Sequence, residues 1–411
     1  MSDTSKPVWV WLPRQCEPVR CGVFSLVAGT GVFAYDDVYK SRSDALALDP
    51  MHLPITRSNR AAKERKQGGL FGVFRDVSPE GFGLSLLEQV KGMQLPDPMQ
   101  RLEFSEGDSV GAIEICDDIE AKLAFRAPGS DELFEVLTQL QPQRPSSQAV
   151  REVRGLHGTS LGGERPKMTV LHEGQLWIAK LQDRGDPPHA PLREYVAMRM
   201  AASFGLQVAP VEFHRVGGRG SNEREVVLVK RFDRHVDDEG RTTRMLYASA
   251  HTVLRLNVET RGDRARSYVG LAHELQRWCS LKDGEAAPLK RELWRRMAFN
   301  ALCGNGDDHP RNHGLICRDG RWGLSEAFDI APYITFSGTL AMAITRDGSG
   351  IATTANLLSH VDNFGYEAEE ARAWLMECRQ AMETRWVAEV EACGYKAEAL
   401  PFQAPTWLDG G

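Results

Sequence analysis

Alternation of apolar and polar positions runs through the start of the chain. Residues 8–12, 20–26 and 31–39 alternate or cluster β-formers, and Gly29 and Gly31 mark a turn between the last two. Ser78 and Pro79 predict the N-cap and first residue of a helix reaching Val90. A short helix is expected over 132–140, and 141–147 is Pro- and Ser-rich, as a linker would be. Strands are predicted over 168–171 and 176–181, joined by a hairpin turn at 172–175. The period then lengthens. Leu192, Val196, Met200 and Ala201 form one stripe of a helix over 192–204, stopped by Gly205. Two more strands, 208–216 and 225–231, flank the Gly-containing segment 217–222. Beyond 234 the pattern is mostly helical. Residues 268–279 and 289–302 are periodic, 314–317 and 321–324 read as a hairpin, and 367–392 form a long helix. That last helix buries Trp374, Leu375, Cys378, Met382, Trp386 and Val390 and stops at Gly394. The pattern divides the chain into 1–140, 141–233 and 234–411.

Composition narrows the function classes. At 411 residues, with 42 % hydrophobic and 26 % charged residues, the chain is an ordinary multi-domain globular protein. A formal charge of −6 argues against bulk electrostatic binding of nucleic acid. The eight cysteines are scattered without a Cys-x-x-Cys pair, as expected for reduced thiols in a cytoplasm. No window approaches the roughly 18 apolar residues of a membrane span, so no membrane association is expected.

The densest chemistry lies in Gly304-Asn305-Gly306-Asp307-Asp308-His309-Pro310-Arg311-Asn312-His313. Acids and amides crowded into a Gly-punctuated loop repel one another and compete with the backbone for hydrogen bonds, so such a loop is costly unless it works. Asp307 and Asn312 are five apart, the spacing of protein-kinase catalytic loops, where the Asp positions a hydroxyl nucleophile and the Asn holds magnesium. Asp329 stands where a second metal ligand would follow. Asp308 is a second acid beside Asp307; either could be the base, and spacing to Asn312 favours Asp307. His309 and His313 are four apart, but Pro310 disfavours the helix that a zinc hydrolase would need, and the motif's Glu is missing.

A second cluster precedes it. Residues 155–167 carry Gly155, Gly158, Gly162 and Gly163, and a loop of this kind can cradle phosphate through its N–H groups. Lys180 then sits in an apolar strand, where a phosphate-binding lysine would be, and Glu194 follows in the first turn of the next helix, where it could pair with that lysine. Lys230-Arg231-Phe232-Asp233-Arg234 ends an apolar strand as an interlobe hinge would.

Together these segments, with 39–54 and 74–81, resemble the HipA-type serine/threonine kinase toxins over nearly the whole chain. The resemblance implies an α+β, bilobal protein-kinase-like fold: a β-rich N-lobe, a helical C-lobe and an additional β-rich N-terminal subdomain. It implies ATP and Mg2+ as cofactors, with Asp307 as catalytic base, His309 as an active-site histidine and Arg311 near the transferred group. Asn312 and Asp329 would be the metal ligands. Ser160, Gly162, Gly163, Lys167 and Lys180 would bind nucleotide phosphates with Glu194 in support, the backbone of Lys230 and Phe232 would meet adenine, and Asp233 would lie near the ribose. Ser160 would be autophosphorylated, switching the kinase off. The partners implied are a helix-turn-helix antitoxin of HipB type, operator DNA only through that antitoxin, and a protein substrate such as an aminoacyl-tRNA synthetase. A small-molecule phosphotransferase and an inactive antitoxin-binding module are the alternatives. The resemblance has departures: family loops often carry Gly where Asp308 stands, and Phe328-Asp329-Ile330 is not Asp-Phe-Gly.

Overall fold

The computed structural model describes residues 4–402 except 59, 142–143, 155–164, 183–184, 218–222, 258–264 and 280–284. Alternation does what it predicts at the start of the chain. Strands β1 (Thr4–Val10), β2 (Val19–Val27), β3 (Thr30–Tyr35), β4 (Ala62–Glu64) and β5 (Ile113–Ile115) form one antiparallel sheet in the order β4-β3-β2-β1-β5. Its inward face sets Phe24 and Phe33 edge-on against Phe71 and Phe74, with Phe74 5.0 Å from Phe24 and 5.4 Å from Phe33. Around it lie the short helices α1 (Asp37–Lys40), α2 (Gly72–Asp76), α3 (Gly81–Lys91), α4 (Pro98–Phe104) and α5 (Ile119–Leu123). The helix expected from Ser78 starts later. The Ser78 N–H donates to the Arg75 carbonyl and closes the end of α2, and Glu80 becomes the N-cap of α3.

The expected linker is partly helical. Helices α6 (Ser130–Gln139) and α7 (Ser146–Arg154) lie on the second sheet, formed by β6 (Lys167–His172), β7 (Gln175–Leu181), β8 (Val211–Val216) and β9 (Arg224–Lys230) in the order β6-β7-β9-β8. Leu133, Leu137, Ala149 and Val150 share one buried cluster with Met168, Val170, Ala179, Val226 and Leu228, so α6 packs with this lobe rather than with the sheet before it. Helix α8 (Ala190–Ser203) packs on the other face of the sheet, against β8 and β9, and ends at Gly205, whose φ of +82° only glycine adopts without strain.

A short ribbon, β10 (Arg234–Val236) with β11 (Thr242–Arg244), leads to β12 (Tyr247–Ser249), which pairs with the hairpin β13 (Gly314–Arg318) and β14 (Arg321–Leu324). Helices α9 (Ala250–Val253), α10 (Tyr268–Trp278), α11 (Ala286–Cys303), α12 (Thr354–Leu358) and α13 (Ala368–Ala392) complete this lobe. The predicted stripe of α13 is buried at Leu375, Cys378, Met382, Trp386 and Val390, while Trp374 packs against it and meets Trp294 at 5.7 Å. Among the described residues no helix is long and apolar enough to cross a membrane.

Candidate active site

Lys180 is the centre of the site. It lies in β7 among buried neighbours, and its Nζ donates to Glu194 Oε1 at 2.5 Å and Asp329 Oδ1 at 2.8 Å. The three come from a strand, a helix and a loop far apart in the chain. Glu194 is 3 % exposed and sits a turn deeper in α8 than the sequence suggests, since the helix starts at Ala190; pairing, not the helix dipole, accounts for it. Burial alone would depress the Lys180 ammonium, but the Asp329 and Glu194 carboxylates outweigh it and hold it above the ordinary lysine value. Burial likewise works against an ionised Asp329, but Lys180, then Lys167 and His309, pull its carboxyl well below the usual range. Lys167 faces Lys180 across the β6–β7 ladder, and burial lowers its pKa. Asp329 has φ +58°, a left-handed conformation that costs a non-glycine residue roughly 1–2 kcal/mol.

The loop 304–313 is built on α11. That helix ends at Gly304 with φ +73°, and at Gly306 a Cβ would come 2.8 Å from the Tyr333 ring, so both glycines are required by geometry. Pro310–Asn312 form one turn of 3-10 helix capped by His309, whose Nδ1 accepts from the Arg311 N–H at 3.2 Å. The two adjacent acids part company here. Asp308 is 1 % exposed and accepts from the Tyr268 hydroxyl, and its Oδ1 lies 2.6 Å from His313 Nε2; Asp307 is exposed. Asn300 and Asn305 extend the buried network, Asn300 donating to the Tyr268 oxygen at 3.2 Å and Asn305 to Asn300 at 3.1 Å. Asp308 therefore holds the loop, and Asp307 is the acid left facing outward.

Asn312 donates Nδ2 to the Asp307 carbonyl at 3.1 Å, which leaves Oδ1 as the atom available to a cation. The Asp329 side chain, 35 % exposed, has one oxygen on Lys180 and keeps its second. Two hard oxygen donors of this kind fit Mg2+.

At one position, Asp233, the surroundings differ from those expected. Asp233 is 3 % exposed and does not stand open to a ribose: Arg231 holds it at 2.7 and 3.0 Å, and the Gly111 N–H donates to it at 2.7 Å. The cause is a buried charge cluster between the hinge and the segment 107–114, a loop that runs into β5. There Arg231 and Arg234 donate to the Asp108, Ser109 and Gly107 carbonyls, and Arg244 pairs with Glu114 at 2.9 Å. Among the hinge residues, Lys230 N–H donates to the Pro210 carbonyl, and the half-buried Phe232 ring lies 5.4 Å from Phe328 and 6.1 Å from Tyr247, an aromatic wall beside Asp329. Ser160, Gly162 and Gly163 lie outside the described residues.

Two acids of the first part of the chain also reach the site. Glu80 pairs with Arg311 in the loop, and Asp76 accepts from the Ser249 N–H at 2.8 Å and its hydroxyl at 2.7 Å. Burial pushes the Asp76 carboxyl up. Their partners lie more than 170 residues away, which no local pattern reveals.

Comparison with known proteins places these features in a family. The HipA N-terminal domain matches residues 15–116 and the HipA-like C-terminal domain matches 159–386, more than half of the chain. "Putative kinase Y4mE" of Sinorhizobium fredii is 25 % identical over 76 % of this chain and 76 % of its own. The serine/threonine-protein kinase toxin HipA of Shewanella oneidensis is 23 % identical over 64 % of this chain and 66 % of that protein. Among solved structures, the S. oneidensis HipA, HipB and operator DNA complex contains a chain that superposes with a TM-score of 0.65 at 19 % identity, covering 92 % of this chain and 91 % of that one. The fold is thus the α+β, kinase-like fold of that structure, and with both domain models matched in order, the chain belongs to the HipA family.

Proposed function

We propose that this protein is a Mg2+- and ATP-dependent serine/threonine protein kinase, the toxin of a module whose antitoxin is a helix-turn-helix protein of HipB type. The observation that carries the reading is Lys180 held between Glu194 and Asp329, because a lysine so extended can lie along nucleotide phosphates while Asp329 stays ionised beside them. The relative from S. oneidensis, named as a serine/threonine-protein kinase toxin and solved with HipB and operator DNA, supports it.

Catalysis would rest on positioning and charge. Lys180 would neutralise the phosphates, and Asp307 would orient a substrate hydroxyl and take its proton. Arg311, steered by Glu80, would lie beside the loop where the transferred group passes. Asn312 and Asp329 would hold Mg2+, which would supply charge stabilisation at the phosphates. Autophosphorylation of Ser160 would add roughly −1.5 to −2 charge next to the nucleotide phosphates and so oppose ATP binding. An aminoacyl-tRNA synthetase is the proposed substrate.

The test is incubation of the purified full chain with Mg2+ and γ-labelled ATP, followed by peptide mass spectrometry. Label on Ser160 in the wild type, absent from Asp307→Ala and Lys180→Met, is expected, with reduced ATP binding after labelling. A folded wild type that binds no ATP and transfers no label would end the kinase reading. A phosphoproteome after induced expression, with and without the antitoxin, identifies the substrate.

A further inference from the structure

Away from the candidate active site, three metal-ligating side chains converge on the face of the second sheet that α6 covers. Glu212 and His214 alternate along β8 and so point to the same side. His172 ends β6, at the opposite edge of the sheet, yet its Nε2 lies 3.0 Å from Glu212 Oε2. His214 Nε2 lies 3.4 Å from the same oxygen, and all three ligand atoms are within 4.8 Å of one another. All three residues are partly buried.

We propose that His172, Glu212 and His214 form a zinc site that braces the two edges of this sheet. The spacing fits the ion. Zinc bonds of about 2.0–2.2 Å in a tetrahedron separate the ligands by about 3.3–3.5 Å, and two of the three edges stand at 3.0 and 3.4 Å. The third needs to close by at most about 1.5 Å to reach the same value, which side-chain rotation supplies. The donor set of two imidazoles and a carboxylate is one that zinc takes with a water in the fourth position.

The surroundings favour a ligated form. Ser130 Oγ lies 2.8 Å from His172 Nδ1 and accepts from it when that nitrogen carries the proton, which frees Nε2 as the donor atom. His214 Nε2 is buried with no hydrogen-bond partner among the described residues, and the Glu212 oxygen stands 3.4 Å away. A buried imidazole nitrogen without a partner carries a desolvation cost that a bound cation would remove. The His214 ring is fixed by Phe134 at 4.9 Å, and the His172 ring by Trp177 at 5.7 Å. β7, which carries Lys180, runs between the braced strands.

The test uses untagged full-length protein, freed of metal with a chelator and titrated with ZnCl2 by calorimetry. One equivalent is expected to bind, weakened at least about 100-fold in His214→Ala and about 10-fold in Ser130→Ala, which leaves the ligands intact but unsteers one of them. At a zinc concentration 100 times the dissociation constant, the wild-type folding constant rises about 100-fold, and that of His214→Ala does not. If His214→Ala fails to fold, Glu212→Gln, which keeps shape and polarity, carries the same expectation. Cobalt should quench Trp177 emission in the wild type, and Trp177→Phe should remove that part of the quench. Zinc binding of equal affinity in the wild type and all ligand variants, as the eight free cysteines could give, or no binding tighter than millimolar, overturns the site.

Discussion

Asp307 and Asp308 are neighbours in sequence with opposite fates, and alanine at each separates activity from stability. Asp308 is buried with two partners, the Tyr268 hydroxyl and His313. A hydrogen bond to a charged group contributes about 1.5–3 kcal/mol, and a stranded buried donor costs about 1–3 kcal/mol, so over its two partners Asp308→Ala should lose about 3–5 kcal/mol. At roughly 2–4 °C per kcal/mol for a domain of this size, Tm falls by about 6–20 °C. Asp307 is exposed, and alanine there should move stability by no more than about 0.5 kcal/mol. Its loss should instead lower phosphoryl transfer by about 10²-fold or more. Differential scanning calorimetry and label transfer from γ-labelled ATP, run on the same preparations, give both numbers. An Asp308→Ala protein with wild-type Tm, or an Asp307→Ala protein with wild-type transfer, would refute the assignment.

Removing a metal ligand should show in the magnesium requirement. Asn312→Ala and Asp329→Ala should each raise the Mg2+ concentration for half-maximal turnover, Asp329→Ala more, because it also frees Lys180 from one carboxylate; an unchanged requirement in Asp329→Ala places the metal elsewhere. Asp233 makes a pH prediction. Burial opposes its charge, but Arg231 outweighs burial and lowers its pKa from 3.8 to about 2, so it adds stability above pH 4 that is lost as pH falls towards 2. The shift corresponds to about 2 kcal/mol, and in Asp233→Asn, followed by urea unfolding at each pH, the loss between pH 4 and 2 should be smaller by that amount; equal acid slopes in the two proteins refute it.

Long periodic segments were the legible part of this chain. Helices α8, α11 and α13 and the strands around Lys180 start and stop within a few residues of where capping, glycine and apolar spacing place them. Short elements were not: α2, α4, α5, β5 and β12 are each seven residues or fewer, and their order comes from contacts distant in the chain, which propensity does not encode. The same divide runs through the site. The run 304–313 and Lys180 announce themselves by unusual composition, whereas Tyr268 and Asn300, which hold Asp308 in place, look like ordinary helix residues. The burial of Asp233 leaves no local trace, because its partner Gly111 and the loop around it lie more than a hundred residues upstream.

The first sheet and its loops touch both halves of the kinase-like unit. The loop 107–111 grips the hinge through Arg231, Asp233 and Arg234, while Asp76 and Glu80 reach Ser249 and Arg311 in the other half. That domain is a splint. Pulling that domain away would break the buried Arg244–Glu114 pair, at several kcal/mol, and would strand the Arg231 and Arg234 donors that meet its carbonyls. In the proposed kinase such a splint would hold the cleft near one gape, so that a nucleotide would be selected by its fit to the opening already present.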